Sequence, residues 1–120
     1  MLNAIVVGLG GFVGAICRYL IGLIQVNEVT TFPIKTFLIN VIGCIVIGII
    51  TVAATKNSYI NPQLVLFLKV GVCGGFTTFS TFALETADMI KAGNPFMAFI
   101  YVLGSVLIGV GVIFAVEYIS

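Results

Sequence analysis

The sequence predicts an all-α membrane protein of four transmembrane helices, and three observations predict it. Apolar residues make up 61% of the 120-residue chain and charged residues only 8%, about a third of the share that the surface of a soluble domain carries. The apolar residues form four runs, each long enough as a helix to cross the roughly 30 Å hydrocarbon core of a bilayer. Short polar stretches separate the runs, so nearly every residue belongs to four helices and three loops and no extramembrane domain is expected.

The first span covers residues 2–24. No charged region precedes it and Arg18 lies within it, which argues against a cleaved signal peptide. Its Gly8-Leu9-Gly10-Gly11-Phe12-Val13-Gly14 string lacks the third glycine, the preceding strand and the βαβ setting of a dinucleotide site. Gly10 and Gly14 instead have the G-x-x-x-G spacing that lets helix backbones approach closely in lipid. A polar stretch, 25–31, holds Glu28 and leads to the second span, 33–54. Residues 55–61 include Lys56, Asn57, Ser58 and Asn61. Pro62 then sits at a helix start, where its missing N–H is tolerated, and opens the third span, 62–90. Lys91-Ala92-Gly93-Asn94-Pro95 is a turn by composition, and 96–119 is the fourth span. Residues 1–120 thus read as a single transmembrane domain.

The chemistry concentrates in the third span, at Gly74-Gly75-Phe76-Thr77-Thr78-Phe79-Ser80-Thr81-Phe82. Paired glycines followed by two threonines weaken a helix near the midpoint, where water is least available to satisfy freed backbone groups. Two readings stand open: a break lining a polar cavity, as in transport proteins whose half-helix ends meet ions, or an unbroken helix whose small residues pack against a neighbour. Phe79 and Phe82 share a face if helix resumes after the break. Their electropositive ring edges suit an anion, and their bulk equally suits packing. Asn40, with Gly43, Cys44, Ile47 and Gly48 on its stripe, and Tyr101 with Ser105 and Gly109, supply neutral donors that serve either as interhelical glue or as pore lining. Arg18 either faces a watery vestibule or snorkels, as Lys69 does. Glu85 and Asp88 read as a solvated boundary at the end of the third span.

Composition excludes several functions. A net charge of +1 and five scattered lysines and arginines give no footprint for nucleic acid. The chain has no histidine. Its three cysteines, Cys17, Cys44 and Cys73, lie in apolar runs without metal-site spacing, where cysteine acts as a small hydrophobe. No nucleophile, base or ligand set converges, so an enzyme is not expected. Loop charges barely favour one orientation: Lys56 and Lys69 lie toward one side, Lys35, Lys91 and Arg18 toward the other. Such a chain can insert both ways round.

These residues together resemble the Fluc family of fluoride channels, also called CrcB proteins. The likeness covers the whole chain: Gly11-x-x-Gly14-Ala15 with Arg18-Tyr19, Pro33 through Asn40-x-x-Gly43, and the nine-residue string 74–82, which is the most specific part. It implies an antiparallel, dual-topology homodimer of four-helix subunits in the inner membrane of a prokaryote, with the third helix broken at the midplane and two fluoride pores at the subunit boundary. Phe79, Phe82 and Asn40 would line the ion path with Thr81, Tyr101 and Ser105 would form the polar track, and Arg18 would stand in the vestibule. Main-chain carbonyls of Gly74 and Thr77 from both subunits would hold a structural sodium ion. Two positions depart from the family pattern. Lys35-Thr36 stands where many members have Gly-Thr, and Gly109 and Ile113 stand where the polar track would continue. The alternative is a small dual-topology drug or cation exporter, which needs a carboxylate deep in the bundle; the first span has none.

Overall fold

The computed structural model describes residues 1–25 and 32–120; of the expected first loop, residues 26–31, including Glu28, lie outside the described residues. Among the described residues four helical stretches are long and apolar enough to cross a membrane: Leu2–Gly22, Ile34–Lys56, Pro62–Lys91 and Pro95–Ile119. The first is α1, the second α2 and the fourth α6; the third contains α3 (Pro62–Leu66), a π-helical stretch (Phe67–Val72), α4 (Cys73–Phe76) and α5 (Phe79–Lys91). Large side chains such as Phe12, Phe99 and Phe114 are about two-thirds exposed on this chain. In water such a surface is an aggregation liability, whereas in a bilayer it meets lipid or another subunit.

Local chemistry sets the helix ends. Asn61 caps α3, its side-chain oxygen accepting from the Gln63 N–H at 2.8 Å, with Pro62 in the first turn where no intrahelical donor is required. The turn between α5 and α6 closes on Gly93, whose φ of 87° lies in the left-handed region. Its N–H donates to Ile90 O at 3.1 Å and that of Asn94 to Met89 O at 2.8 Å, satisfying the last carbonyls of α5 as a glycine C-cap does.

Two seams of small residues bring the helices together. A methyl group built on Gly10 would stand 2.8 Å from Gly71 Cα, one on Gly14 would stand 2.7 Å from Phe76 N, and one on Gly75 would stand 2.9 Å from Gly11 Cα. Backbone therefore rests on backbone between α1 and the π-helical stretch with α4, the close approach expected of the Gly10 and Gly14 spacing. On the other side α2 packs along α6, with Gly48 and Gly109 buried, while the buried Gly43 of α2 faces the side chain of Thr77. The Cys44 sulfur lies 3.3 Å from where a Gly109 side chain would begin. At one end of the bundle Met89, Ala98 and Tyr101 form a buried cluster, covered by Phe32, Phe37, Phe82 and Met97.

Candidate functional site: a clamped break between two cavities

The third span leaves helical geometry at Thr77 and Thr78, whose φ and ψ are −81°, 160° and −147°, 122°. β-branched threonines favour this extended backbone. The paired glycines 74 and 75 stay within α4, where Gly75 serves the close packing on α1. Extended backbone inside a span frees peptide groups that lipid cannot satisfy, so each needs a partner from the protein.

Asn40 supplies most of the answer. Its Nδ2 donates to Thr78 O at 3.1 Å and its Oδ1 accepts from the Thr78 N–H at 2.9 Å, so one amide from α2 takes both polar groups of a single peptide residue. Thr77 turns back on α4, with its N–H and its hydroxyl both donating to Cys73 O, at 3.0 and 2.9 Å. The Thr78 hydroxyl accepts from the Thr81 N–H at 3.2 Å and caps α5. From α1, Arg18 Nε donates to Gly75 O at 3.2 Å. The N–H groups of Thr78 and Thr81, which a continuous helix would turn to Gly74 O and Thr77 O, are thereby engaged elsewhere. Gly74 is exposed and nothing lies within 4 Å of where its side chain would be.

Two cavities flank this break, and Thr78 lines both. A groove of about 450 Å³ is lined by Asn40, Gly74, Thr77, Phe79, Phe82 and Ser105, with Cys44 and Cys73 among its apolar walls. Most residues singled out in the sequence thus meet in one place. The Ser105 hydroxyl is buried and has no hydrogen-bond partner among the described residues. A second, more polar cavity of about 520 Å³ takes Arg18, Lys35, Thr36, Thr81, Glu85 and Asp88. Arg18 and Thr81 therefore belong to this cavity and not to the groove. Lys35 Nζ donates to Gly22 O and Ile24 O, at 3.0 and 3.3 Å, and so caps the end of α1.

The aromatic rings run from the groove into the buried cluster around Tyr101. Phe79 and Phe82 lie 5.9 Å apart by ring centroids, and Phe82 lies 4.9 Å from Tyr101. Phe79 is 78% exposed, whereas Tyr101 is fully buried and lines neither cavity. A buried phenol needs a hydrogen-bond partner, and Tyr101 donates to Glu85 Oε1 at 2.9 Å while the Thr36 hydroxyl donates to Glu85 Oε2 at 3.0 Å. Glu85 differs from the solvated boundary expected of it: it is half-buried and both its oxygens accept hydroxyls. Thr36 and Glu85 are the site residues that sequence reasoning missed. The sequence carried little signal of them: Glu85 follows Phe82 by three residues on one helix face, but nothing paired it with Thr36 or Tyr101 from other helices.

Fold and site together define a multi-pass helical membrane protein whose third span opens between two cavities and is held there by side chains of its neighbours. A family profile described as CrcB-like protein, Camphor Resistance (CrcB), matches residues 5–116. The chain is 40% identical over 115 residues to the fluoride-specific ion channel FluC of Chlorobaculum tepidum, covering 96% of this chain and 91% of that one. It is 40% identical over 111 residues to the protein of that name from Oceanobacillus iheyensis (92% and 85% covered), and 43% identical over 108 residues to that from Ruminiclostridium cellulolyticum (88% and 82% covered). The chain belongs to the CrcB family, and its relatives carry the name of an ion channel and not of an enzyme.

Proposed function

We propose that this chain is a subunit of a fluoride-selective channel that lets fluoride leave the cytoplasm down its electrochemical gradient. The observation that carries the reading is the groove, where Phe79 and Phe82 stand beside the Asn40 amide and a buried Ser105 hydroxyl without a partner among the described residues. A buried polar group of that kind is costly unless something in the cavity pairs with it. Neutral hydroxyl donors and ring edges can replace part of an anion's hydration shell without trapping the ion as a fixed positive charge would. The first turn of α5 adds to this, because the N–H groups of Phe79 and Ser80 have no acceptor within the helix and the positive end of the helix dipole lies there. Fluoride, the ion that the relatives' names carry, is small enough for such a close-fitting set. The 520 Å³ cavity with Arg18 and Lys35 forms the vestibule on one side of the break.

The break belongs at the bilayer midplane, with an antiparallel second copy against the exposed faces. Balanced loop charges support dual insertion, and an in-plane twofold would bring both copies of the break together. Gly74 O and Thr77 O, released from their helical donors, are hard oxygen ligands, and four of them across the twofold fit an alkali cation. A bound sodium ion would supply positive charge that holds the two breaks together. The exporter reading is disfavoured because the first span holds no carboxylate, and Glu85, toward the end of the third, already accepts a hydroxyl on each oxygen, from Thr36 and Tyr101.

A fluoride-electrode efflux assay on purified protein in liposomes tests the reading. With a potassium ionophore clamping the voltage, the liposomes should release fluoride and retain chloride. Equal release of both ions, or release only under a proton gradient, contradicts it.

A further inference from the structure

Arg18 lies seven residues after Gly11 and four after Gly14, a spacing that puts all three on one face of α1. The missing side chain of Gly14 lets α1 rest on the backbone of Phe76, and the missing side chain of Gly75 lets α4 rest on the backbone of Gly11. A helical side chain leans toward the N-terminus of its helix, so the arginine leans back over this seam. Its Nε reaches the Gly75 carbonyl at 3.2 Å across 57 residues of sequence. That carbonyl is one the break orphans, because Phe79 begins a new helix and its N–H does not return to Gly75.

We propose that Arg18 is a positioning residue of the break: its Nε–H takes the Gly75 carbonyl, and so settles which carbonyls at the end of α4 are engaged and which are open. Gly75 O is turned toward α1 while Gly74 O, one residue earlier, is left without its helical donor. The role resides in a donor at one atom and not in the positive charge. A vestibule charge would work equally well from any cation at this position, whereas a cap requires an N–H where Nε now is.

Two substitutions separate these roles. Gln places its Nε2 the same number of bonds from Cα as the Nε of Arg, so R18Q keeps the donor and loses the charge. R18K keeps the charge but has a methylene there, and its ammonium lies one bond further out as a point charge. The readout that does not depend on conduction is the Gly75 carbonyl itself. The sequence contains two Gly-Phe pairs, Gly11-Phe12 and Gly75-Phe76, so carbonyl-labelled glycine with nitrogen-labelled phenylalanine gives two correlated signals in solid-state NMR. The signal of Gly75 should move in R18K and stay near its parent position in R18Q. Flux, which rests on the fluoride reading, should fall in both, by about tenfold more in R18K than in R18Q, the scale of one buried hydrogen bond lost. If R18K does not yield folded protein while R18Q does, the ordering is the same and supports the cap. A Gly75 signal unmoved in R18K, or flux and yield better kept in R18K than in R18Q, overturns it. A parent protein that conducts no fluoride but shows the predicted carbonyl shifts would refute the channel reading and leave the cap standing.

Discussion

Replacing Asn40 by alanine removes both hydrogen bonds that hold Thr78, the 3.1 Å bond to its carbonyl and the 2.9 Å bond from its N–H. No neighbouring helix turn can reclaim these groups, because Thr78 has extended backbone. Each buried polar group left without a partner costs about 1–3 kcal/mol. The adjoining groove admits some water to one of the two, so the expected loss is about 2–4 kcal/mol of folding free energy. The assay is unfolding of the purified protein in mixed micelles, followed by helical circular dichroism, with fluoride efflux measured on the same preparations. Asn40→Ala should unfold earlier by that amount and lose flux together with the geometry of the break. Asn40→Asp keeps the acceptor for the Thr78 N–H but turns an acceptor toward Thr78 O, and should be no better than alanine. A variant within about 0.5 kcal/mol of the parent, less than one hydrogen bond's usual worth, would show that the amide does not clamp the break.

Four other substitutions follow from the same geometry. Phe79→Ile should leave stability within about 0.5 kcal/mol, as befits a side chain 78% exposed on its own subunit, while flux falls far more; unchanged flux would return this ring to packing. Phe82→Ile should in addition lose about 0.5–1.5 kcal/mol from its ring contact with Tyr101 at 4.9 Å, so a variant as stable as Phe79→Ile would deny that contact a part in folding. Ser105→Ala removes a buried hydroxyl that has no partner among the described residues; it should be neutral or stabilising in the unfolding assay yet slower in efflux, and a clear loss of stability would mean that the hydroxyl is structural glue. Gly14→Ala would drive a methyl group against Val72 O and Phe76 N. Overpacking of backbone on backbone should cost about 1–3 kcal/mol and is read as lower yield of folded protein, while normal yield would mean that α1 can move away from α4.

The spans were legible because hydropathy and length report directly on the bilayer, and the turn at 91–95 because glycine readily adopts a positive φ while proline fixes its own. Convergence of Asn40, Phe79, Phe82 and Ser105 on one groove was legible as a set of donors and rings. The side-chain partners were not. Asn40 reads in the sequence as a donor for either interhelical glue or pore lining, and that its amide is committed to Thr78 depends on the depth at which α2 crosses the third span. Glu85 reads as a boundary charge because distance from the span's midpoint was the only guide to its burial. Its partners Thr36 and Tyr101 come from two other helices, and long-range pairing of that kind leaves no periodic trace. The π-helical stretch Phe67–Val72 likewise carries no composition signal, although it sets the rotation that brings Gly71 and Gly75 onto α1.

Passive, selective conduction is the central claim, and the reversal potential of the protein in a planar bilayer tests it most directly. With fluoride tenfold more concentrated on one side and chloride in equal excess on the other, a fluoride channel reverses at about 59 mV of the sign set by fluoride. The value should stay there when a pH gradient is imposed. Reversal near the potential set by chloride, or a shift that follows the proton gradient, would contradict the account.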